Sequence, residues 1–134
     1  MIALSSLQQG IYEALDAALS QEVYAFVAPQ NAAFPYVVID SIEHYDGDTD
    51  STYGQESVFS LRAFDKDISS ASGINAMMSA IDTALHNQSI TAAGYSNTFC
   101  FREFATSFVQ TGSAAGEDHY YQANMRYRVR LVKN

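Results

Sequence analysis

Three groups of side chains in this 134-residue sequence could do chemistry, and each implies a different kind. The acidic run Asp46-Gly47-Asp48-Thr49-Asp50-Ser51-Thr52 puts carboxylates at alternate positions, as the first half of an EF-hand calcium loop does. Continuing that register puts Ser51 where the sharp turn needs glycine and Ser57 where a bidentate glutamate should close the cage. The flanks also read as strands, not helices. The run therefore reads as a solvated acidic hairpin loop. No metal site is expected, and Asp46, Asp48 and Asp50 are the residues that would hold a cation if one bound.

The second group is His44, His86, His119 and Cys100. Their spacing matches no tetrahedral zinc set, because one cysteine and three scattered histidines offer no local pair of ligands. Cys100 stands between two phenylalanines in a predicted strand, with nothing cationic beside it to lower its pKa. It reads as a small buried side chain and not as a nucleophile. The sequence has no G-x-S-x-G, P-loop or dinucleotide fingerprint, and its only paired carboxylates lie in the acidic loop. No enzyme and no cofactor are expected.

The third group is the stripe Arg126, Arg128 and Arg130. Three like charges at two-residue spacing share one face of a strand and repel one another unless something compensates them. One reading is a solvated strand face that protects a sheet edge. Another is a surface that meets acids of a neighbouring copy, such as Asp46, Asp48 and Asp50 or the acid-rich first half. A third is a basic surface turned toward DNA once copies are arranged around a channel.

The elements that position these groups follow from periodicity. Leu4, Leu7, Ile11, Ala14, Leu15 and Ala18 recur at spacings of three and four, which predicts an amphipathic helix over 3–19. Gly10 falls inside it at a cost of about 1 kcal/mol relative to alanine. EVYAFVA, residues 22–28, reads as a short strand, and Pro29 and Pro35 then bracket QNAAF. YVVIDSIEHY and QESVFSLRAFD read as two strands around the acidic loop. In the second, Phe59, Leu61 and Ala63 share the buried face, with Ser60 and Arg62 opposite. A second helix carries the stripe Ile68, Ala71, Ile74, Met77, Met78, Ile81 and Leu85, with Asp67 or a nearby serine as cap and Asn87 as stop. TFCFREFATSFVQ reads as a strand whose mixed alternation suggests a bulge. TGSAAGED reads as a flexible loop. HYYQANMRYRVRLV alternates throughout, with Tyr121, Ala123, Met125, Tyr127, Val129 and Leu131 on the inner face. The expected class is α+β, an antiparallel-rich sheet with two helices packed on it, in the order α-β-β-β-α-β-β.

Composition fits one domain over 1–134, because a chain of this length buries roughly two thirds of its unfolded surface without staples. A lone cysteine makes no internal disulfide, no apolar run nears the length of a bilayer span, and the start lacks a basic signal; a soluble protein is expected. The net charge of −8 argues against autonomous binding to nucleic acid. Its distribution is uneven. Residues 1–61 hold nine acids and no lysine or arginine, and residues 62–134 hold all seven bases against six acids. Opposite fields on two surfaces of one domain favour self-association in a fixed register.

Read in order, LQQGIYEALDAAL, EVYAFV, PQNAAFPYVVI, QESVFSLRAFDKD, AIDTALHN and YYQANMRYRVRL resemble the tail completion, or tail-to-head joining, family of long-tailed bacteriophages, prophages and gene transfer agents. The most specific element is PQNAAFPYVVI, with Pro29, Pro35 and Tyr36 opening a strand; nothing is carried over to 46–54 or 111–118. The resemblance implies an α+β subunit, similar to the lambda tail terminator, that forms a hexameric ring at the head-proximal end of the virion tail. Its implied partners are further copies of itself, a tail tube protein and a head-tail connector protein, with genomic DNA passing through the channel and no membrane. It implies no catalytic residue. Alternatives are a head-side neck protein and a small acidic calcium- or ligand-binding module using the 46–54 loop.

Overall fold

The computed structural model describes residues 4–46, 54–66, 71–110 and 120–133. Helix α1 (Leu4–Ala18) leads into strand β1 (Glu22–Ala25), then β2 (Tyr36–Asp46) and β3 (Gly54–Asp65). Helix α2 (Ser72–Leu85) follows, and β4 (Tyr95–Gln110) and β5 (Tyr120–Lys133) end the chain. The element order is the expected one. The five strands form one sheet in the order β1-β2-β3-β5-β4.

The sheet is antiparallel-rich as expected but mixed, not purely antiparallel. β1 runs parallel to β2, with Val23 beside Val37 and Ala25 beside Ile39, while the other three pairings are antiparallel. β1 stops three residues earlier than its composition suggests. Phe26 takes a left-handed φ of 67°, and the Val27 N–H donates to the Ala25 carbonyl at 2.8 Å, turning the chain away before Val27 and Ala28 can pair.

Both helices cover one face. Leu7, Ile11 and Leu15 of α1 and Ile74, Met77, Ile81 and Leu85 of α2 pack onto Val37, Ile39, Phe59, Leu61, Ala63, Ala123, Met125, Tyr127, Val129 and Leu131 in one core. Each of the larger aliphatic side chains among these contributes about 1.5–3 kcal/mol by leaving water. The strand positions are the alternating sets read from the sequence. Ile68 and Asp67 lie outside the described residues. The N-cap of α2 is Ala71, which supplies no side-chain bond. Buried Asp65, at the end of β3, lies against Gly73 in the first turn instead. The positive end of a helix favours a carboxylate there. Asn87, with φ 58°, ends α2 as expected, since asparagine tolerates the left-handed region. β4 carries irregularities between Asn97 and Cys100 and between Arg102 and Phe104, matching its mixed alternation.

Candidate assembly surface

The face away from the helices carries the arginine stripe. β3 lies beside β5 with Glu56 opposite Arg130, Val58 opposite Arg128, Ser60 opposite Arg126 and Arg62 opposite Asn124. β4 adds Phe101 opposite Arg128, Phe104 opposite Arg126 and Phe108 opposite Gln122. The arginine stripe thus stands on the helix-free face, between the strand that carries Glu56 and the edge strand that carries Glu103.

The repulsion expected within the stripe is compensated from within the chain. Glu103 bonds Arg128 through Oε1 and approaches Arg126 Nε at 3.3 Å through Oε2, and Glu56 reaches Arg128 Nη1 at 3.4 Å. These carboxylates raise the Arg128 pKa further above its already high value, the hydrogen bond to Glu103 being the main cause. Arg126 also lies over the Phe104 ring at 5.7 Å, and it remains half-exposed. Arg62 pairs with Asp40 at 2.9 Å. Between these pairs is an open cavity of about 260 Å³ lined by Asp40, Ser60, Arg62, Phe104, Gln122 and Arg126. Glu103 and Glu56 were not singled out from the sequence. The role of Glu103 depends on the register of β4 and β5 across an irregularity and that of Glu56 on the pairing of β3 with β5, neither of which a local pattern reveals.

One end of the same face is aromatic. Tyr36 stacks on Phe64 with centroids 4.9 Å apart, Tyr24 meets Tyr36 edge-on at 5.8 Å, and Phe34 and Phe64 both approach Tyr120. Burial, chiefly, raises the Tyr36 pKa. The Phe34–Pro35 bond is cis, and the Pro29 carbonyl accepts from the Ala32 N–H at 3.0 Å. The segment PQNAAFPY leads into Tyr36, which stands in the aromatic row. Asp46 ends β2 and Asp48 and Asp50 lie outside the described residues, as do His119 and the stretch 111–118.

The other candidates stand apart. His44 Nδ1 lies 2.9 Å from Ser57 Oγ, and burial holds its imidazole below the usual range. His86 Nδ1 accepts the Arg102 N–H at 3.0 Å. Cys100 is buried, and desolvation, with the nearby Asp82 charge adding to it, pushes its thiol up to about 12. Asp82 accepts from Tyr127 Oη at 2.8 Å and from Arg102 Nη1 at 2.8 Å, tying α2 to β4 and β5; sequence reading missed this three-way contact. Among the described residues no group of three His, Cys, Asp or Glu side chains stands close enough to hold a metal. No described helix is long and apolar enough to cross a membrane.

Residues 11–131 match the family model described as Tail completion protein gp17. The chain belongs to that family. The family is a structural one of phage tail assembly and not an enzyme family. The fold is similar, at a TM-score of 0.76 and 17% identity, to a chain of the virion of a native gene transfer agent (GTA) particle, covering 97% of each chain. A second solved chain reaches a TM-score of 0.44 at 18% identity, covering 91% of this chain and 94% of its own, which carries no argument. No curated protein sequence matches.

Proposed function

We propose that this tail completion protein assembles as a six-membered ring at the head-proximal end of a phage tail, where it ends the tail tube and joins it to the head connector. The observation that carries the reading is the family match over residues 11–131, supported by the shared fold of a gene transfer agent virion chain. A subunit of this length has a radius of gyration of about 14 Å, a size that six copies can close around a channel. Such closure needs two different patches on each subunit in head-to-tail contact.

In this reading the working parts are surfaces. Arg126, Arg128 and Arg130, with Asp46, Asp48 and Asp50, belong to a subunit contact or to the ring lining. The tail tube protein and the connector meet the two rims, DNA only passes through, and no cofactor or membrane takes part. Electron microscopy of tails made without the protein tests it. Tails of irregular length that fail to acquire heads are expected, and normal length with normal joining refutes the completion role.

A further inference from the structure

We infer that the free half of β4 in one copy packs against the β1 edge of the next copy, joining neighbouring sheets head to tail. This deepens the ring reading and rests on it. The first half of β4 already has a neighbour along its outer edge. Asn87 N–H donates to the Cys100 carbonyl at 2.7 Å, Cys100 N–H to the Gln88 carbonyl at 3.1 Å, and Arg102 N–H to His86. Beyond Phe104 no described element pairs with that edge.

The same half-strand is also uncovered on its faces. Ala105, Ser107 and Val109 stand opposite Met125, Ala123 and Tyr121, on the side that the helices cover at β5, yet they are exposed themselves. Val109 on that side keeps 45% of its surface in water, and on the other side Phe104 and Phe108 keep 47% and 38%. Residues 104–110, FATSFVQ, contain no charge, proline or glycine. An open edge with exposed aromatic side chains and none of the usual protection is an adhesive surface that a soluble chain covers in its assembled state.

Among the described strands the other outer edge is β1, at the opposite end of the sheet. From there the chain runs on into exposed Phe26 and Val27, the latter 78% exposed. The charges of the two ends are complementary. β4 and β5 together carry five bases and one acid, and stay the more basic end even with Asp82 and Glu56 of the neighbouring elements paired to Arg102 and Arg128, whereas α1 and β1 carry Glu13, Asp16 and Glu22 and no base. Two β4 ends would bring together the Arg102 and Arg126 that flank this uncharged half-strand in both copies, and two β1 ends would bring together both copies' Glu22, so a second copy is best accepted by its opposite end. A contact between different edges leaves one of each kind free on every pair, and so it repeats until a ring closes.

The full-length chain and two variants, Phe104→Glu/Phe108→Glu and Glu22→Arg/Val27→Arg, are compared by sedimentation velocity over a concentration series. Each is measured alone and with tails made without the protein. All these side chains are exposed, and unchanged circular dichroism melting checks folding. The wild type should associate in at least one setting, each variant alone should lose association, and an equimolar mixture of the two should recover it. Rings formed equally well by either variant overturn the inference and leave the ring reading standing. Association lost in the β4 variant and kept in the β1 variant shows β4 meeting itself or a different protein, and also overturns it. A wild type that associates in neither setting refutes the ring reading, and the inference falls with it.

Discussion

Gly10 of α1 lies directly against the backbone of Thr91. A Cβ placed on Gly10 would run into the Thr91 carbonyl oxygen and come within 2.9 Å of Ile90 Cγ2 and 3.0 Å of the Thr91 carbonyl carbon. Read from the sequence, this glycine is a flaw in an amphipathic helix. In the fold it is the point where α1 drops onto the connection between α2 and β4. Gly10→Ala should therefore destabilise the protein by about 1–3 kcal/mol, the usual range for overpacking, although it gains about 1 kcal/mol of helix propensity. Urea unfolding checks the sign, and a stabilised variant would show that α1 does not pack this closely.

The contact between Asp65 and Gly73 makes a similar prediction with a built-in control. A Cβ at position 73 would overlap Asp65 Oδ2 and lie 3.3 Å from its Cγ. Gly73→Ala should cost about 1–3 kcal/mol by forcing a buried carboxylate out of place. In Asp65→Ala/Gly73→Ala the clash is gone, so the two losses should sum to more than the double variant shows. Additive losses would place the carboxylate elsewhere.

Burial sets an alkaline limit on stability. The Cys100 thiol is pushed up to about 12 and the Tyr127 hydroxyl is pushed up as well, in both cases mainly by burial. Both groups hold their proton in the folded state above the pH at which the unfolded chain begins to release it. Their contribution is thus complete below about pH 9 and is lost as pH rises toward 12. The urea midpoint should fall over this window, and Cys100→Ala should fall less steeply. A thiol reagent should label Cys100 only as the protein unfolds.

How far the sequence reaches can be judged strand by strand. β5 alternates over its whole length, and its inner set, from Ala123 to Leu131, is buried as read, because each position is decided by burial on one face alone. The stripes of α1 and α2 are legible for the same reason. The direction of β1 is not: its four residues pair either way, and nothing in Glu22–Ala25 itself selects the parallel register that the fold shows. The sequential separation of Glu103 from Arg126 and Arg128 likewise hides their pairing. It comes from β4 folding back beside β5 with an irregularity between Arg102 and Phe104. The arginines were legible as a stripe, while the groups that neutralise them were not.

That neutralisation separates stability from assembly in the arginine stripe. Arg126 and Arg128 make partly exposed pairs with Glu103 and Glu56, and exposed pairs contribute about 0–1 kcal/mol each. Loss of these three pairs in Arg126→Glu/Arg128→Glu should therefore cost no more than about 3 kcal/mol, while the variant places four carboxylates around one strand position. If the stripe belongs to a subunit contact, this variant should assemble poorly at low salt, and added salt should recover part of the loss by screening. Wild-type assembly should weaken with salt instead. Sedimentation at two ionic strengths reads both trends. Unchanged assembly and unchanged salt dependence would confine the stripe to the folding of a single subunit, with Glu103 serving only to hold the edge strand beside its neighbour.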